Sequence, residues 1–230
     1  MATTNNGATA ITPDVGIVTW ESEGQEGGVY HSRVLHVPSD ASGLTIGRGY
    51  DMKDRSAADI VQDLTDSDVL LVDATTLSTA SGLQGDAARE FIKTNKLEKY
   101  EISKAGQKSL FLKTYAVIKS DVKRICTKAD VVEKYGKCEW NKLNPAIVDI
   151  LVDLRFRGDY TSGSRTLLQK DVVNNDLDAF AKVIKAPANW VNVPTDRRAR
   201  RSKFVDQALA AKKFAEKLVK PATPVSATKK

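Results

Sequence analysis

The hydrophobic and polar positions along most of this chain follow the pattern of helices. They predict helices over residues 57–64, 66–79, 86–95 and 104–125. Ser56, with Asp59 three residues later, forms a capping pair at the start of the first of these helices. No repeat period accompanies the pattern, so a repeat architecture is not predicted.

A central helix is predicted from the most apolar segment, "NPAIVDILVDLRF". Asn144 is suited to the N-cap position and Pro145 to the first helical position. The residues that follow are apolar on nearly every side, which is typical of a helix buried by its neighbours. The predicted helix covers residues 145–156.

Three further helices are predicted after the central one. "GDYTSGSRTLLQK" and "NDLDAFAKVIK" indicate two short helices. "PTDRRARRSKFVDQALAAKKFAEKLV" indicates a long amphipathic helix, which Pro221 ends.

The first fifty residues differ from the rest. Pro13 is expected to open a short helix with Val15 and Val18 facing inward, and Gly24 to follow its end, so that Glu23 lies at the helix C-terminus. The stretches "VYHSRVLHVP" and "LTIGRGY" are rich in β-branched and aromatic residues, with the turn "SDASG" between them. They predict a hairpin or small sheet over residues 29–50.

These elements predict an α+β fold that is mostly α. A length of 230 residues suits one large domain. We expect a flexible N-terminus at 1–12, a single domain at 13–220, and a flexible basic tail at 221–230. Within the domain, a small β lobe is expected at about 25–55 and a larger helical lobe at about 56–220.

Composition excludes several classes of protein. The chain is 41% hydrophobic and 28% charged, as in ordinary globular proteins. No apolar run approaches the ~20 residues of a membrane span, and "MATTNNGATAITPD" has neither the basic nor the apolar region of a signal peptide. We therefore expect no transmembrane segment and no Sec signal.

Positive charge is concentrated at the C-terminal end. Residues 197–230 contain eleven lysines and arginines against two acids, a net charge of +9, which leaves −3 on the remainder. Such a segment attracts polyanions, but it is equally typical of a solvated helix face followed by a frayed tail. The arginines of "RRARR" are interpreted as a salt-bridged or solvated helix face. Because aromatic residues are not interleaved with this charge, nucleic-acid binding is not predicted.

The sulfur and imidazole groups are few. Cys126 and Cys138 are the only cysteines, and His31 and His36 the only histidines. None has the spacing of a zinc site, so no metal and no cofactor is predicted. The cysteines are compatible with one disulfide in an oxidising compartment or with two free thiols.

Candidate chemistry is concentrated near the N-terminus, in "TWESEGQEGG" and "ASGLTIGRGYDMKD". Hydrolysis of a glycosidic bond uses two carboxyl groups, one of which donates a proton while the other activates water or attacks directly. A glutamate at the end of a buried helix can remain protonated near neutral pH. Glycines on the adjoining strand allow a bulky polymer to approach the backbone.

The order of these motifs resembles the phage-type lysozyme superfamily. The closest resemblance is to its pesticin-like branch, the bacterial toxin homologues of phage lysozyme. A Glu-Gly pair on the first helix is followed after about twenty residues by "TIGRGYD", with Thr45 22 positions after Glu23 and Asp51 six after Thr45. The later segments "SGSRTLLQK" and "NWVNVPTDRRARRSKF" are similar to the helical lobe of that family. The resemblance covers roughly residues 13–207.

The resemblance implies a lysozyme-like fold with a helical lobe around the central helix. It makes Glu23 the general acid and Asp51 the base, with Thr45 orienting the water. Classical phage lysozymes carry the aspartate before the threonine, so Asp40 is the alternative base. Glu21 and Glu26 compete with Glu23, and Glu21 is not followed by glycine. Candidates for lining a sugar cleft are Tyr30, His31 and Tyr50.

The activity implied is that of an N-acetylmuramidase, which cleaves the β-1,4 bond between N-acetylmuramic acid and N-acetylglucosamine with inversion. The expected protein is a monomeric antibacterial toxin that acts on peptidoglycan in the periplasm or wall of a target bacterium. A periplasmic inhibitor (immunity) protein is then an expected partner. A phage endolysin of the same chemistry and a non-catalytic wall-binding module are the alternatives.

Overall fold

The computed structural model describes residues 11–219, and the fold is α+β and mostly helical, as predicted. Much of the expected N-terminal segment at 1–12, the expected tail at 221–230 and Pro221 lie outside the described residues. Ten α-helices and one two-stranded sheet occupy the described range. The helices are α1 Ile17–Ser22, α2 Ala57–Thr65, α3 Leu71–Ser78, α4 Gly85–Thr94, α5 Lys104–Cys126, α6 Ala129–Tyr135, α7 Pro145–Arg157, α8 Ser162–Val173, α9 Leu177–Lys185 and α10 Thr195–Val219; the strands are β1 Thr45–Ile46 and β2 Tyr50–Asp51.

The predicted central helix is α7. The Asn144 side chain accepts a hydrogen bond from the Ala146 amide over 2.9 Å, and Pro145 is the first helical residue. Gly158, with φ of 90°, ends the helix one residue later than expected. α7 contacts α1, α5, α9 and α10, so most of its circumference is buried. This prediction is confirmed.

Two of the predicted helix starts are also informative. Ser56 caps α2 as predicted, since its hydroxyl accepts from the Asp59 amide over 3.1 Å. The helix predicted at 66–79 begins only at Leu71. Asp68 has φ of 63°, a left-handed conformation that a right-handed helix cannot include.

The first helix is shorter than predicted. Gly16 has φ of 69°, so α1 begins at Ile17 and Pro13 lies outside it. A Cβ at Gly16 would lie 2.6 Å from the Tyr115 ring, which explains why a glycine stands there. The prediction that Val15 faces inward is wrong, because it is 41% exposed, whereas Val18 is buried as expected.

The sheet predicted over 29–50 is reduced to the hairpin β1–β2, in which Thr45 pairs with Asp51 and Ile46 with Tyr50. The segment "VYHSRVLHVP" forms only isolated bridges. His36 exchanges two backbone hydrogen bonds with Thr45, both 2.9 Å, but its neighbours bond elsewhere. The Leu35 amide donates to Tyr100, and the Arg33 carbonyl accepts from Ile102. Pairing with the segment before α5 therefore replaces a regular strand.

Two hydrophobic clusters form the interior. The larger surrounds α7 and includes Trp20 and Phe111, and the smaller surrounds the hairpin and α2–α4 and includes Ile46. α5 joins them, because Phe111 belongs to the larger cluster and Leu110 to the smaller. Among residues 11–219, no helix is both long and apolar enough to cross a membrane.

Substituting Gly49 with alanine tests how closely the hairpin approaches α7. Gly49 has φ of 84°, and a Cβ there would lie 2.6 Å from the Phe156 ring. We expect Gly49→Ala to lower the free energy of unfolding by about 2–4 kcal/mol, from left-handed strain plus overpacking. Urea unfolding measures the loss.

The matched control is Gly82→Ala. Gly82 has a similar φ of 79°, but nothing lies within 4 Å of its Cβ position. Only the conformational cost of about 1–2 kcal/mol is expected there. Equal losses in the two variants would contradict the close approach of Phe156.

Candidate functional site

A cleft of about 530 Å³ lies between the end of α1 and the hairpin. Its volume is in the range of ligand-binding pockets. The polar or aromatic side chains that line it include Ser22, Glu23, Tyr30, His31, His36 and Thr45. A second cavity of similar volume lies along the outer side of α5, but its lining is apolar apart from lysines and serine, and it contains no acid. The first cleft is therefore the candidate site.

Glu23 is the cleft residue with the most distinctive environment. It caps the C-terminus of α1, where its amide donates to the Thr19 carbonyl over 2.9 Å. Its Oε1 accepts from Arg197 Nη1 over 2.6 Å, and its side chain is 21% exposed. Oε2 has no hydrogen-bond partner within the described part of the chain. The free oxygen of this carboxyl group is thus the one available to a ligand.

Burial raises the pKa of Glu23 above its ordinary value of 4.5. Arg197 opposes this shift through its charge and its hydrogen bond, and the nearby Asp153 adds to it. The net effect is a raised pKa, so this carboxyl keeps its proton to a higher pH than an exposed glutamate does. A carboxyl group with this property is suited to donate a proton.

Arg197 is shared between two acids. Its Nη2 donates to Asp153 Oδ1 over 2.6 Å, while Nη1 binds Glu23. Asp153 also accepts from Arg201 Nε over 2.6 Å, and Arg201 reaches Asp159 over 2.9 Å. Asp153 and Arg201 are almost fully buried. The cluster anchors α10 to α7 and to the end of α1.

The sequence interpretation of these arginines was correct in part. Arg197 and Arg201 form ion pairs, as does Arg200 with Asp196, but the first two are buried rather than solvated. The pairing of Arg197 with Glu23 was missed. A usable signal was Asp153, which stands between Val152 and Leu154 in the predicted buried helix, since a buried carboxylate requires a cation or hydrogen-bond donors.

Arg48, also missed from the sequence, fixes the backbone on both sides of Glu23. Its Nη1 donates to the carbonyls of Trp20 and Gly24, and its guanidinium lies 4.1 Å from the centre of the Trp20 ring. These bonds satisfy carbonyls that the end of a short helix leaves unpaired. The buried Arg48 therefore links the hairpin motif "TIGRGYD" to Trp20, three residues before the acid, and to Gly24, directly after it.

Thr45 and Asp51 lie on one face of the hairpin. The chain turns between them, with Gly47 and Gly49 both at positive φ, and the two residues are cross-strand partners. Directly paired residues of an antiparallel sheet share a face. Thr45 lines the cleft, and its hydroxyl donates to the Gly43 carbonyl over 3.1 Å.

The two candidate bases differ in their surroundings. Asp51 accepts hydrogen bonds from the amides of Gly43, over 3.0 Å, and Lys53, over 2.8 Å. Asp40 has a 91% exposed side chain that accepts from Arg89 over 2.7 Å, rather than from backbone amides of its own turn. Neither aspartate is among the residues that line the cleft, although Asp51 is paired with one that does.

The three candidate sugar-binding residues separate into two groups. Tyr30, 78% exposed, and His31 both line the cleft. His31 Nδ1 accepts from the Gly27 amide over 2.7 Å, so the ring proton is on Nε2, which donates to Glu101 over 3.0 Å. The assignment of Tyr50 to the cleft is wrong. Tyr50 is fully buried in the smaller cluster, and its hydroxyl donates to Asp63.

The two neighbouring glutamates, Glu21 and Glu26, lie in other surroundings than Glu23. Glu21 lines a separate groove between α1 and α10. Glu26 accepts from Arg33 over 2.8 Å and from Gln107 over 2.7 Å. Although burial acts against it, hydrogen bonds from Arg33 and Gln107 hold the pKa of Glu26 below its ordinary value. Glu23 and Glu26 are thus driven toward opposite protonation states.

Comparison with known proteins gives a family but no functional relative. A protein-family model described as "Domain of unknown function (DUF8812)" matches residues 16–202, which include Glu23, the hairpin, α7 and Arg201. No curated protein matches the chain. Within residues 11–219, no group of three or more histidine, cysteine or acidic side chains is arranged to hold a metal ion.

The raised pKa of Glu23 predicts a pH-dependent loss of stability. Below about pH 4.5 the carboxyl is protonated in the folded and unfolded states alike, so it imposes no cost. As the pH rises from there through the folded-state pKa, the unfolded chain ionises more readily, and the folded state loses free energy. Glu23→Gln cannot ionise. We therefore expect its free energy of unfolding to rise relative to that of the natural chain as the pH increases from 4.5 through the raised folded-state pKa.

Glu21→Gln is the control, because Glu21 is an exposed residue of the same helix. Urea unfolding of the three proteins at several pH values measures the differences. A relative loss of stability by Glu23→Gln as the pH rises would mean that Arg197 outweighs burial, contrary to this account.

Proposed function

This chain belongs to the family described as a domain of unknown function (DUF8812), and we propose that it is a peptidoglycan hydrolase. The proposed activity is that of an N-acetylmuramidase, which cleaves the β-1,4 bond between N-acetylmuramic acid and N-acetylglucosamine. One observation carries the proposal: Glu23, the pKa of which is raised by burial, lines the same cleft as Thr45. Thr45 is in turn the cross-strand partner of Asp51. This arrangement supplies a proton donor, a hydroxyl and a second carboxylate.

A lysozyme-like interpretation of the fold is part of the proposal. It is supported by the order of the elements, in which α1 ends at Glu23, a short hairpin follows, and a helical body surrounds the buried α7. α5 connects the smaller cluster, which contains the hairpin, with the larger one. The cleft lies between the hairpin and the end of α1, where the proposed polymer substrate would bind.

In the proposed reaction Glu23 protonates the leaving glycosidic oxygen. Oε1 is bound by Arg197, so Oε2 carries the proton that is transferred. After transfer the carboxylate is stabilised by the same guanidinium. Arg197 therefore opposes the protonated state only partly before the reaction and supports the ionised state after it.

Asp51 accepts a proton from the attacking water, which Thr45 helps to orient. Each Asp51 oxygen accepts one backbone amide and keeps a lone pair for a further donor. The Thr45 hydroxyl donates its proton to the Gly43 carbonyl, so the lone pairs of the Thr45 hydroxyl oxygen remain free to accept a hydrogen bond from water. Attack by water from the face opposite the leaving group inverts the anomeric carbon.

The proposed role is that of a monomeric antibacterial toxin that acts in the periplasm or wall of a target bacterium. Peptidoglycan is then the substrate, and an inhibitor (immunity) protein is the expected partner in the producing cell. The basic C-terminal residues suit an acidic wall polymer. A phage endolysin would use the same site. A non-catalytic module is disfavoured by a buried glutamate whose pKa is raised, since a binding surface has no need of it.

Glu23→Gln tests the acid. The variant keeps the shape of the side chain and loses the transferable proton, so wall lysis should fall at least ~100-fold, the scale of general acid catalysis. A zymogram on purified bacterial wall and a turbidity assay measure the loss, with circular dichroism confirming the fold. Glu21→Gln should retain full lysis. Undiminished lysis by a folded Glu23→Gln variant would exclude the assignment.

Asp51→Asn and Asp40→Asn together test the base. We expect Asp51→Asn to reduce lysis by ~100-fold or more, and to cost about 1–3 kcal/mol of stability because an amide nitrogen then faces one of two backbone donors. Asp40→Asn removes only an exposed pair with Arg89, so both lysis and stability should change little. Lysis is measured well below each thermal midpoint. An inactive Asp40→Asn beside an active Asp51→Asn would assign the base to Asp40.

A further inference from the structure

His36 lines the cleft together with Glu23 and Thr45, although no role was predicted for it from the sequence. Its backbone exchanges two hydrogen bonds of 2.9 Å with that of Thr45. Because Thr45 directs both its amide and its carbonyl at His36, its pairing with Asp51 is of the closer kind that lacks hydrogen bonds. His36, Thr45 and Asp51 thus form one row across three adjacent segments, and their side chains share a face.

The His36 ring has one nitrogen in use and one that is free. Nδ1 lies 2.9 Å from the Val34 carbonyl oxygen, which is only an acceptor, so Nδ1 carries the ring proton and donates it. In the neutral imidazole Nε2 then keeps its lone pair. Nε2 has no hydrogen-bond partner among residues 11–219, and the residue is partly exposed. The cleft therefore contains an imidazole nitrogen that is available to accept a hydrogen bond from a ligand.

His31, the other histidine of the cleft, has no such free nitrogen. Its Nδ1 accepts from the Gly27 amide over 2.7 Å, and its Nε2 donates to Glu101 over 3.0 Å. The two rings are thus held in opposite tautomers by their partners. His31 fastens the loop around Gly27, whereas His36 is the histidine that has a ring nitrogen left for a ligand.

The other polar groups of the cleft indicate what His36 Nε2 accepts from. In the proposed reaction the attacking water donates its two hydrogen bonds to Asp51 and Thr45, and the Glu23 proton goes to the glycosidic oxygen. The remaining acceptor has to be matched by a donor of the substrate itself. The hydroxyl and acetamido N–H groups of an N-acetylated sugar are donors of this kind.

We propose that His36 is a substrate-binding residue, which accepts through Nε2 a hydrogen bond from a hydroxyl or acetamido N–H group of the sugar polymer. The inference rests on the proposed function, since it concerns the same cleft and the same substrate. His36 takes no part in proton transfer. It therefore determines how firmly the sugar is held and leaves the rate of bond cleavage unchanged.

His36→Asn and His36→Gln separate the roles of the two nitrogens. The asparagine amide reaches about as far as Nδ1 and still donates to Val34, but it supplies nothing at the Nε2 position. The glutamine amide reaches about as far as Nε2 and restores an acceptor there. The substrate is a preparation of soluble glycan strands of N-acetylglucosamine and N-acetylmuramic acid, freed of their peptides. We expect His36→Asn to raise KM ~3–10-fold at an unchanged kcat, the scale of one hydrogen bond, and His36→Gln to recover most of the loss.

Nitrogen NMR of histidine-labelled protein reads the ring directly and needs no substitution at position 36. His31 and His36 give the only two ring signals. The Glu23→Gln variant is used so that the strands are bound without being cleaved. At about pH 8, above the ordinary range of histidine titration, we expect the proton of His36 on Nδ1 and that of His31 on Nε2. Added strands should shift the His36 Nε2 signal upfield, and by more than either nitrogen of His31.

The outcomes separate this inference from the proposed function. Lysis by the natural chain, combined with an unchanged KM in His36→Asn or with the His36 proton on Nε2, would overturn the inference and leave the hydrolase standing. A lower kcat at an unchanged KM would contradict it too, because His36 would then act on the chemical step. If the natural chain neither lysed the wall nor bound the strands, the inference and the proposed function would both be wrong.

Discussion

The buried carboxylate of Asp153 is the constraint on which the rest of the site depends. It is fully buried on α7, where an unpaired charge would cost several kcal/mol. Arg197 and Arg201 neutralise it, and this requires α10 to pack against α7. Because two cations surround one buried anion, the guanidinium groups also pair with further acids. Arg197 pairs with Glu23, and Arg201 pairs with Asp159. Glu23, the candidate acid, is thus held by an ion cluster that also neutralises the buried charge of Asp153.

This arrangement explains how two glutamates three positions apart acquire opposite character. Glu23 enters the ion cluster from the buried side, where desolvation outweighs the one guanidinium that it shares with Asp153. Glu26 lies beyond Gly24, where the chain has turned away from the helix, and receives donors of its own from Arg33 and Gln107. The short distance along the chain matters less than the turn at Gly24. A side chain at position 24 would meet Ser32 at 2.5 Å, so only glycine permits this close passage.

The parts of the fold that the sequence predicted well are those that local chemistry determines. Asn144 with Pro145, and Ser56 with Asp59, satisfy helix ends within a few residues, and both were predicted correctly. The failures concern residues whose partners are distant in sequence. Residues 29–37 had strand composition, but the backbone of Arg33 bonds to Ile102 and that of Leu35 to Tyr100. Tyr50 was predicted to line the cleft, but its hydroxyl donates a hydrogen bond to Asp63. Nothing in the sequence near Arg48 indicated that it would bind the end of α1. Glu23, Thr45 and Asp51 were chosen from motif order, which carries long-range information that composition does not.

The ion pair between Glu23 and Arg197 joins residues 174 positions apart. Nearly the whole chain must therefore be synthesised before Glu23 can bind Arg197. Until α10 is made, α1 lacks its final contacts. Long-range closure of this kind is entropically costly and comes late in folding. A partly made chain lacks the buried environment that raises the pKa of Glu23. The candidate acid consequently acquires its buried surroundings only when the fold is complete.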